Sequence, residues 1–75
     1  MTIEQLRHVH QAVPFRPFTI HLADGRAFHV AHWEFLSHSP TGRTLIVHGS
    51  NDSFSILDLL LVTELEVEPA PRRRR

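Results

Sequence analysis

The sequence predicts a mainly β fold of the α+β class, in which an N-terminal helix precedes a five-stranded, strongly bent antiparallel sheet that curls into a small barrel. Three observations support this prediction. Apolar residues recur with helical spacing at the start of the chain, two alternating runs flank an Asp-Gly turn, and further short apolar runs are separated by polar turn residues. Strands of four to seven residues suit a small curved barrel better than a flat sheet.

The first element is a helix over residues 2–13. Thr2 is a suitable N-cap, and Gln5 three residues later completes a capping box. Pro14 ends the helix, and the segment 14–17 should be a stiff extended linker because its two prolines lack backbone donors. One helix face should be buried, since its apolar residues fall at spacings of three and four: Ile3, Leu6, Val9, Ala12 and Val13.

Residues 18–30 predict a β-hairpin. A two-residue Asp24-Gly25 loop would place the apolar residues of the two strands on opposite faces, so we reject that register. A three-residue loop, Ala23-Asp24-Gly25, with the glycine in the left-handed conformation, brings them to one face. The predicted cross-strand pairs are Leu22 with Arg26, Ile20 with Phe28, and Phe18 with Val30.

The remaining elements follow from shorter patterns. We expect a bulge or single turn at residues 32–36, and strands at 43–48 and 54–57, each bounded by small polar residues. Residues 58–62 are too continuously apolar to alternate and predict a buried tight turn, with Asp58 as its cap. The last strand, 63–68, should turn Leu65 and Val67 inward and its glutamates outward.

Composition indicates one small domain. We expect a single domain over residues 1–68 and a disordered Pro/Arg tail over residues 69–75, in a chain of 75 residues. Cysteine is absent, which excludes disulfides and thiolate metal sites. The first residues carry an acid and no apolar run of signal-peptide length, so we expect a cytoplasmic protein with no membrane partner.

The net charge of zero hides an asymmetry. All eight basic residues are arginines, and residues 1–71 hold four of them against eight acids, a formal charge of −4. The tail could bind nucleic acid weakly, with Arg16, Arg26 and Arg43 as helpers, or could simply aid solubility. The four arginines of the tail are Arg72, Arg73, Arg74 and Arg75.

The residues of these elements carry two resemblances. The order of helix, hairpin over a short glycine turn, two strands, one-turn element and last strand resembles the Sm-like barrel of bacterial RNA chaperones. Ser55-Ile56-Leu57-Asp58 stands where that family has its Lys-His RNA-binding signature. The segments Pro14-Phe15-Arg16-Pro17-Phe18, Leu22-Ala23-Asp24-Gly25-Arg26 and Asp58-Leu59-Leu60-Leu61-Val62-Thr63 resemble a family of short uncharacterised bacterial proteins, which implies a fold but no activity.

Seven histidines raise the question of a metal site. His8 and His10 point about 200° apart on a helix and cannot share an ion. His21 and His29 should lie diagonally on one hairpin face, with Cα atoms about 7 to 8 Å apart, and His48 or His32 is a conceivable third ligand. Exposed strand histidines explain the pattern more simply, so we expect no metal and treat these residues as weak candidates.

Catalytic patterns are not apparent. The serines have no base or acid that the sequence places beside them, and the chain has no glycine-rich phosphate loop. We therefore expect a non-enzymatic protein with no cofactor and no small-molecule substrate.

A small barrel leaves strand edges whose amides can pair with another chain. We therefore expect an interaction module that associates with itself, as a dimer or ring, or with another protein. Weak Sm-like RNA binding through the arginine tail is the alternative. Three aromatic residues are candidate partner anchors, although a lid over one end of the barrel is the favoured interpretation of Trp33: Trp33, Phe35 and Phe15.

Overall fold

A computed structural model describes residues 1–69 of the chain, and the predicted tail residues 70–75 lie outside this part. One helix precedes six strands, so the mainly β fold with an N-terminal helix is confirmed. The elements in chain order are α1 (Ile3–His10), β1 (Phe18–Leu22), β2 (Ala27–Val30), a first 3₁₀ turn (Trp33–Phe35), β3 (Leu36–His38), β4 (Thr44–His48), β5 (Phe54–Asp58), a second 3₁₀ turn (Leu59–Leu61) and β6 (Val62–Val67).

The predicted capping box is present at the start of α1. The Gln5 backbone N–H donates to Thr2 Oγ1 at 3.2 Å, and the Thr2 backbone N–H donates to Gln5 Oε1 at 2.9 Å. Both donors would otherwise have no partner within the helix. The helix is held to the sheets by Leu6, which is fully buried.

The helix ends earlier than predicted, at His10 rather than Val13. A proline cannot donate to the carbonyl four residues before it and its ring clashes with that carbonyl, which for Pro14 belongs to His10. Val13 consequently lies outside the helix and is 95% exposed, so its predicted place on the buried helix face is wrong.

The predicted hairpin register is confirmed. Leu22 donates its backbone N–H to the Arg26 carbonyl at 2.9 Å, which closes the three-residue loop. Gly25 has φ of 93°, the left-handed conformation that an L side chain rarely adopts. The observed pairs include Phe18 with Val30 and Ile20 with Phe28.

The predicted single five-stranded barrel is wrong in detail. The strands form two three-stranded antiparallel sheets, ordered β2-β1-β6 and β3-β4-β5, and no ladder joins the two sheets among residues 1–69. We name them sheet A and sheet B. The first 3₁₀ turn interrupts the pairing after β2, and the chain then forms β3, a strand that the sequence did not predict.

The two sheets share one hydrophobic core. Their inward-facing side chains form a single cluster with the buried face of α1. The side chains with no exposed surface come from both sheets and the helix, and they are Leu6, Phe18, Ile20, Val30 and Leu45.

The segment after β5 is a capped turn as predicted, but the expectation that it is buried is wrong, because only Leu59 is buried and Leu60 and Leu61 are 64% and 50% exposed. Asp58 caps the second 3₁₀ turn by accepting the Leu60 N–H through Oδ1 at 2.9 Å. β6 then pairs with β1. Beyond its end, the Glu68 carbonyl accepts from both Nε and Nη2 of Arg16 at 3.0 and 2.8 Å, and the Glu68 N–H donates to the Pro17 carbonyl. These bonds tie the linker to the end of the last strand.

Candidate functional site

An exposed apolar surface lies on the outer side of sheet B. Leu57 of β5 is buried in the core, so strand alternation turns Phe54 and Ile56 outward, where their exposed fractions are 59% and 65%. Two exposed leucines of the second 3₁₀ turn follow directly in the chain. Together with the half-buried Ile46 of β4, these residues form what we call the β5 surface, and its members are Ile46, Phe54, Ile56, Leu60 and Leu61.

The strand register brings the members on β4 and β5 together. Ile46 lies directly opposite Ile56, and His48 lies opposite Phe54 with ring centroids 6.3 Å apart. Direct cross-strand neighbours have Cβ atoms within about 5.5 Å, so the two isoleucines make one continuous apolar strip.

The charge of this side of sheet B is balanced. Asp58, at the end of β5, faces the guanidinium of Arg43, with Nε and Oδ1 3.6 Å apart. Both side chains are exposed, so the pair contributes little to the stability of the fold. It leaves the β5 surface without an excess charge that would repel a second apolar surface.

β5 is also an edge strand. It pairs with β4 on one side, and no strand of residues 1–69 pairs with its other side. Proteins often protect such edges with central charges, prolines or bulges. The middle of β5, Ser55-Ile56-Leu57, has none of these. Exposed apolar side chains therefore coincide with an unpaired backbone edge.

The three predicted aromatic anchors occupy different environments. Trp33 is 60% exposed and Phe35 is also exposed, so the first 3₁₀ turn holds both outside the core. The Trp33 carbonyl accepts from His10 Nε2 at 2.7 Å, which fastens this turn to the end of α1. Phe15 is half-buried against Phe18, with ring centroids 5.9 Å apart. The prediction of Trp33 as a lid over one end of a barrel is therefore not supported.

The three candidate histidine ligands are not brought together. His21 Nε2 lies 2.9 Å from Glu66 Oε1, and His29 Nε2 lies 3.7 Å from Glu68 Oε2, both on the outer side of sheet A. His48 belongs to β4 in the other sheet, so the three weak candidates do not form one ligand set. Over residues 1–69, no group of three or more His, Cys, Asp or Glu is placed to hold a metal ion.

The arginines predicted to help bind nucleic acid are engaged within the fold. Arg16 holds the Glu68 carbonyl, Arg43 faces Asp58, and Arg26 Nε lies 2.9 Å from Asp24 Oδ2. Binding of nucleic acid by the tail stays a prediction, because Arg72 to Arg75 lie outside the described residues.

Sequence reasoning missed Phe54 and Ile56 as candidate site residues. The pattern Phe54-Ser55-Ile56-Leu57 marks a strand, but it offers apolar residues to both faces and does not say which face is inside. Leu60 and Leu61 were missed as well, because the continuous apolar run 59–62 was interpreted as a buried turn.

Residues 1–69 include no helix that has both the length and the apolar character needed to cross a membrane. Comparison of the chain with protein-family models, with curated proteins and with solved structures gives no significant match.

Proposed function

We propose that this protein is a small non-enzymatic interaction module that associates with a second copy of itself through the edge strand β5. The observation that carries the proposal is the coincidence of two features on one strand. The free edge of β5 offers unpaired backbone groups, and Phe54 and Ile56 beside it are more than half exposed.

The energetics favour a partner that is itself apolar. Covering a side chain such as Phe54 or Ile56 contributes about 1 to 2 kcal/mol when somewhat more than half of it was exposed. Association costs at least about 4 kcal/mol in lost translational and rotational freedom. One copy supplies four exposed apolar residues on β5 and the turn after it, and a second copy supplies the same four, so self-association can exceed this cost.

Sheet A provides the contrast that makes the partner choice specific. Its outer side carries histidines and glutamates, two of which pair with each other across strands, so it offers no large apolar area. A partner with a strongly charged surface would gain nothing from the β5 surface.

The test is the dependence of solution mass on concentration, measured by light scattering in the micromolar range. We expect the unsubstituted chain to approach twice its monomer mass as concentration rises. Ile56→Lys should keep the chain monomeric, because it places an ammonium group in the middle of the contact. The side chain of Ile56 is 65% exposed, so this change should leave the fold intact.

Ala27→Lys is the matched control. Ala27 is an exposed residue on the outer side of β2, an edge strand of sheet A, so the variant adds the same charge to the other sheet. It should associate as the unsubstituted chain does. A monomer mass for the unsubstituted chain throughout this range, or equal loss of association in both variants, contradicts the proposal.

A further inference from the structure

The edges available for pairing differ in chemistry. β6 is one of the two edge strands of sheet A, β2 being the other, and its outward side carries Glu64 and Glu66, with Glu68 just beyond its end. β5 presents Phe54 and Ile56. If β5 of one copy paired with β6 of another, those apolar side chains would lie beside carboxylates and strip water from them. Burying a carboxylate beside apolar groups is costly unless new partners replace the water.

Pairing β5 with β5 avoids this cost. The central isoleucines then meet each other, and the only carboxylate on the strand, Asp58, keeps Arg43 of its own chain as a partner when it comes beside Phe54 of the second copy. A surface that is complementary to itself leads to a closed two-fold dimer rather than an open chain of copies.

We infer that the β5 strands of two copies pair with each other in antiparallel orientation, about a two-fold axis at Ile56. This inference rests on the proposed self-association. β5 has five residues, Phe54–Asp58, and Ile56 is its midpoint. Only an axis at the midpoint lets all five residues of each strand find a partner. Sheet B of the two copies becomes one continuous six-stranded sheet.

This register also matches the faces of the two strands. Phe54 pairs with Asp58 of the second copy and Ile56 pairs with Ile56, so outward residues stay on one side and Leu57 stays toward each core. With Ile46 opposite Ile56 in each copy, four isoleucines form an unbroken row across the joined sheet. Phe54 is also brought toward Leu60 of the second copy, which follows β5 in the chain.

Single cysteines test the axis directly, because the natural chain has no cysteine. Opposed residues of an antiparallel pair have Cα atoms about 4.5 to 5.5 Å apart, within the range that a disulfide spans. Under mild oxidation, Ile56→Cys should form a covalent dimer on a non-reducing gel. Ala27→Cys on β2 and Glu66→Cys on β6 are the matched controls and should stay monomeric on the same gel.

The mass of each variant before oxidation separates the two proposals. A dimer mass with cross-linking of I56C alone supports the axis at Ile56. A dimer mass without cross-linking of I56C overturns this inference and leaves self-association standing, whether or not E66C cross-links alone or in mixed I56C and E66C chains. A monomer mass for the unsubstituted chain and for every variant overturns both.

Discussion

The outer sides of the two sheets differ although their inner sides are alike. Sheet A turns Thr19, His21, His29 and Glu66 outward, and the histidines lie beside glutamates. The outward side chains of sheet B include Ile46, Phe54 and Ile56 of the β5 surface. Both inner sides contribute fully buried residues to one core, so the difference is confined to the solvent side.

This contrast indicates that the residues that stabilise the fold are different from the residues that are free to contact another chain. The fold needs the buried side of each sheet, and sheet A shows that a polar outer side is compatible with the same architecture. The outward apolar residues of β5 remain more than half exposed and therefore bury little surface in the monomer. The apolar surface of these side chains is therefore still available to be buried in a contact with another chain.

The largest expected effect comes from moving the apolar pair to the other sheet. Thr19 and Glu66 are direct partners on the outer side of β1 and β6, as Ile46 and Ile56 are on β4 and β5. Replacing Thr19 and Glu66 by isoleucine in the monomeric Ile56→Lys background should restore a concentration-dependent rise in mass, because it places an apolar pair beside the edge strand of sheet A. Light scattering measures the change.

The control for this transfer is Thr19→Ser with Glu66→Gln in the same background. It removes the Glu66 charge without adding apolar surface and should remain a monomer. If the isoleucine variant also stays monomeric where the unsubstituted chain associates, an apolar pair beside a free edge is not sufficient for association.

A smaller effect is expected on the free energy of unfolding when the turn glycines of the two sheets are replaced, and it differs between the two turns. Gly42, in the turn before β4, has φ of 78°, and an added Cβ would overlap the side chain of Ile3. Gly25, in the turn of sheet A, has φ of 93° but open space around it. Gly42→Ala should lower the free energy of unfolding by about 2 to 5 kcal/mol, because left-handed strain adds to overpacking. Gly25→Ala should cost about 1 to 2 kcal/mol.

Denaturant unfolding followed by Trp33 fluorescence measures both glycine variants. Equal losses for the two would show that Ile3 moves aside without cost, and that α1 is not packed closely on the turn of sheet B.

The smallest effect concerns the charged turn of sheet A. The Arg26 backbone N–H, and then the Arg26 guanidinium, hold the pKa of Asp24 below its ordinary value of 3.8. A lowered folded-state pKa stabilises the fold above the unfolded-state pKa, and this stabilisation is lost as pH falls through the folded-state value. The fully exposed position keeps the effect small.

We therefore expect Asp24→Asn to lose less stability than the unsubstituted chain when the pH is lowered from neutral to below 3.8. Unfolding curves at the two pH values measure the difference. Asp52→Asn, in the turn of sheet B, controls for the loss of one negative charge. A larger acid sensitivity in the Asp24 variant would contradict the assignment.

The hairpin could be predicted from sequence because two independent constraints agree. Alternation requires Phe18, Ile20 and Phe28 on one side, and Gly25 can adopt the positive φ that the three-residue loop demands. The caps at Thr2 and Asp58 were predictable for a similar reason, since each depends on a contact within a few residues.

Other features depend on contacts that are distant in sequence. β3 has three residues, of which Leu36 alone is buried, and its polar neighbours resemble a loop. Only pairing with β4 makes it a strand. Ile56 and Leu57 are interchangeable in a one-dimensional pattern, and packing against the shared core decides which of them faces solvent. For Trp33, size and polarity suit either a buried or an exposed position.

The hydrogen bonds around Glu68 have a practical consequence for protein engineering. Because Arg16 and Pro17 bond to Glu68, the chain enters β1 and leaves β6 at neighbouring points. A circular permutation can use this adjacency by reopening the chain at another exposed turn. Any unit moved to an unrelated scaffold to display β5 must keep α1 with the two sheets, because Leu6 of the helix is fully buried in the core that they share.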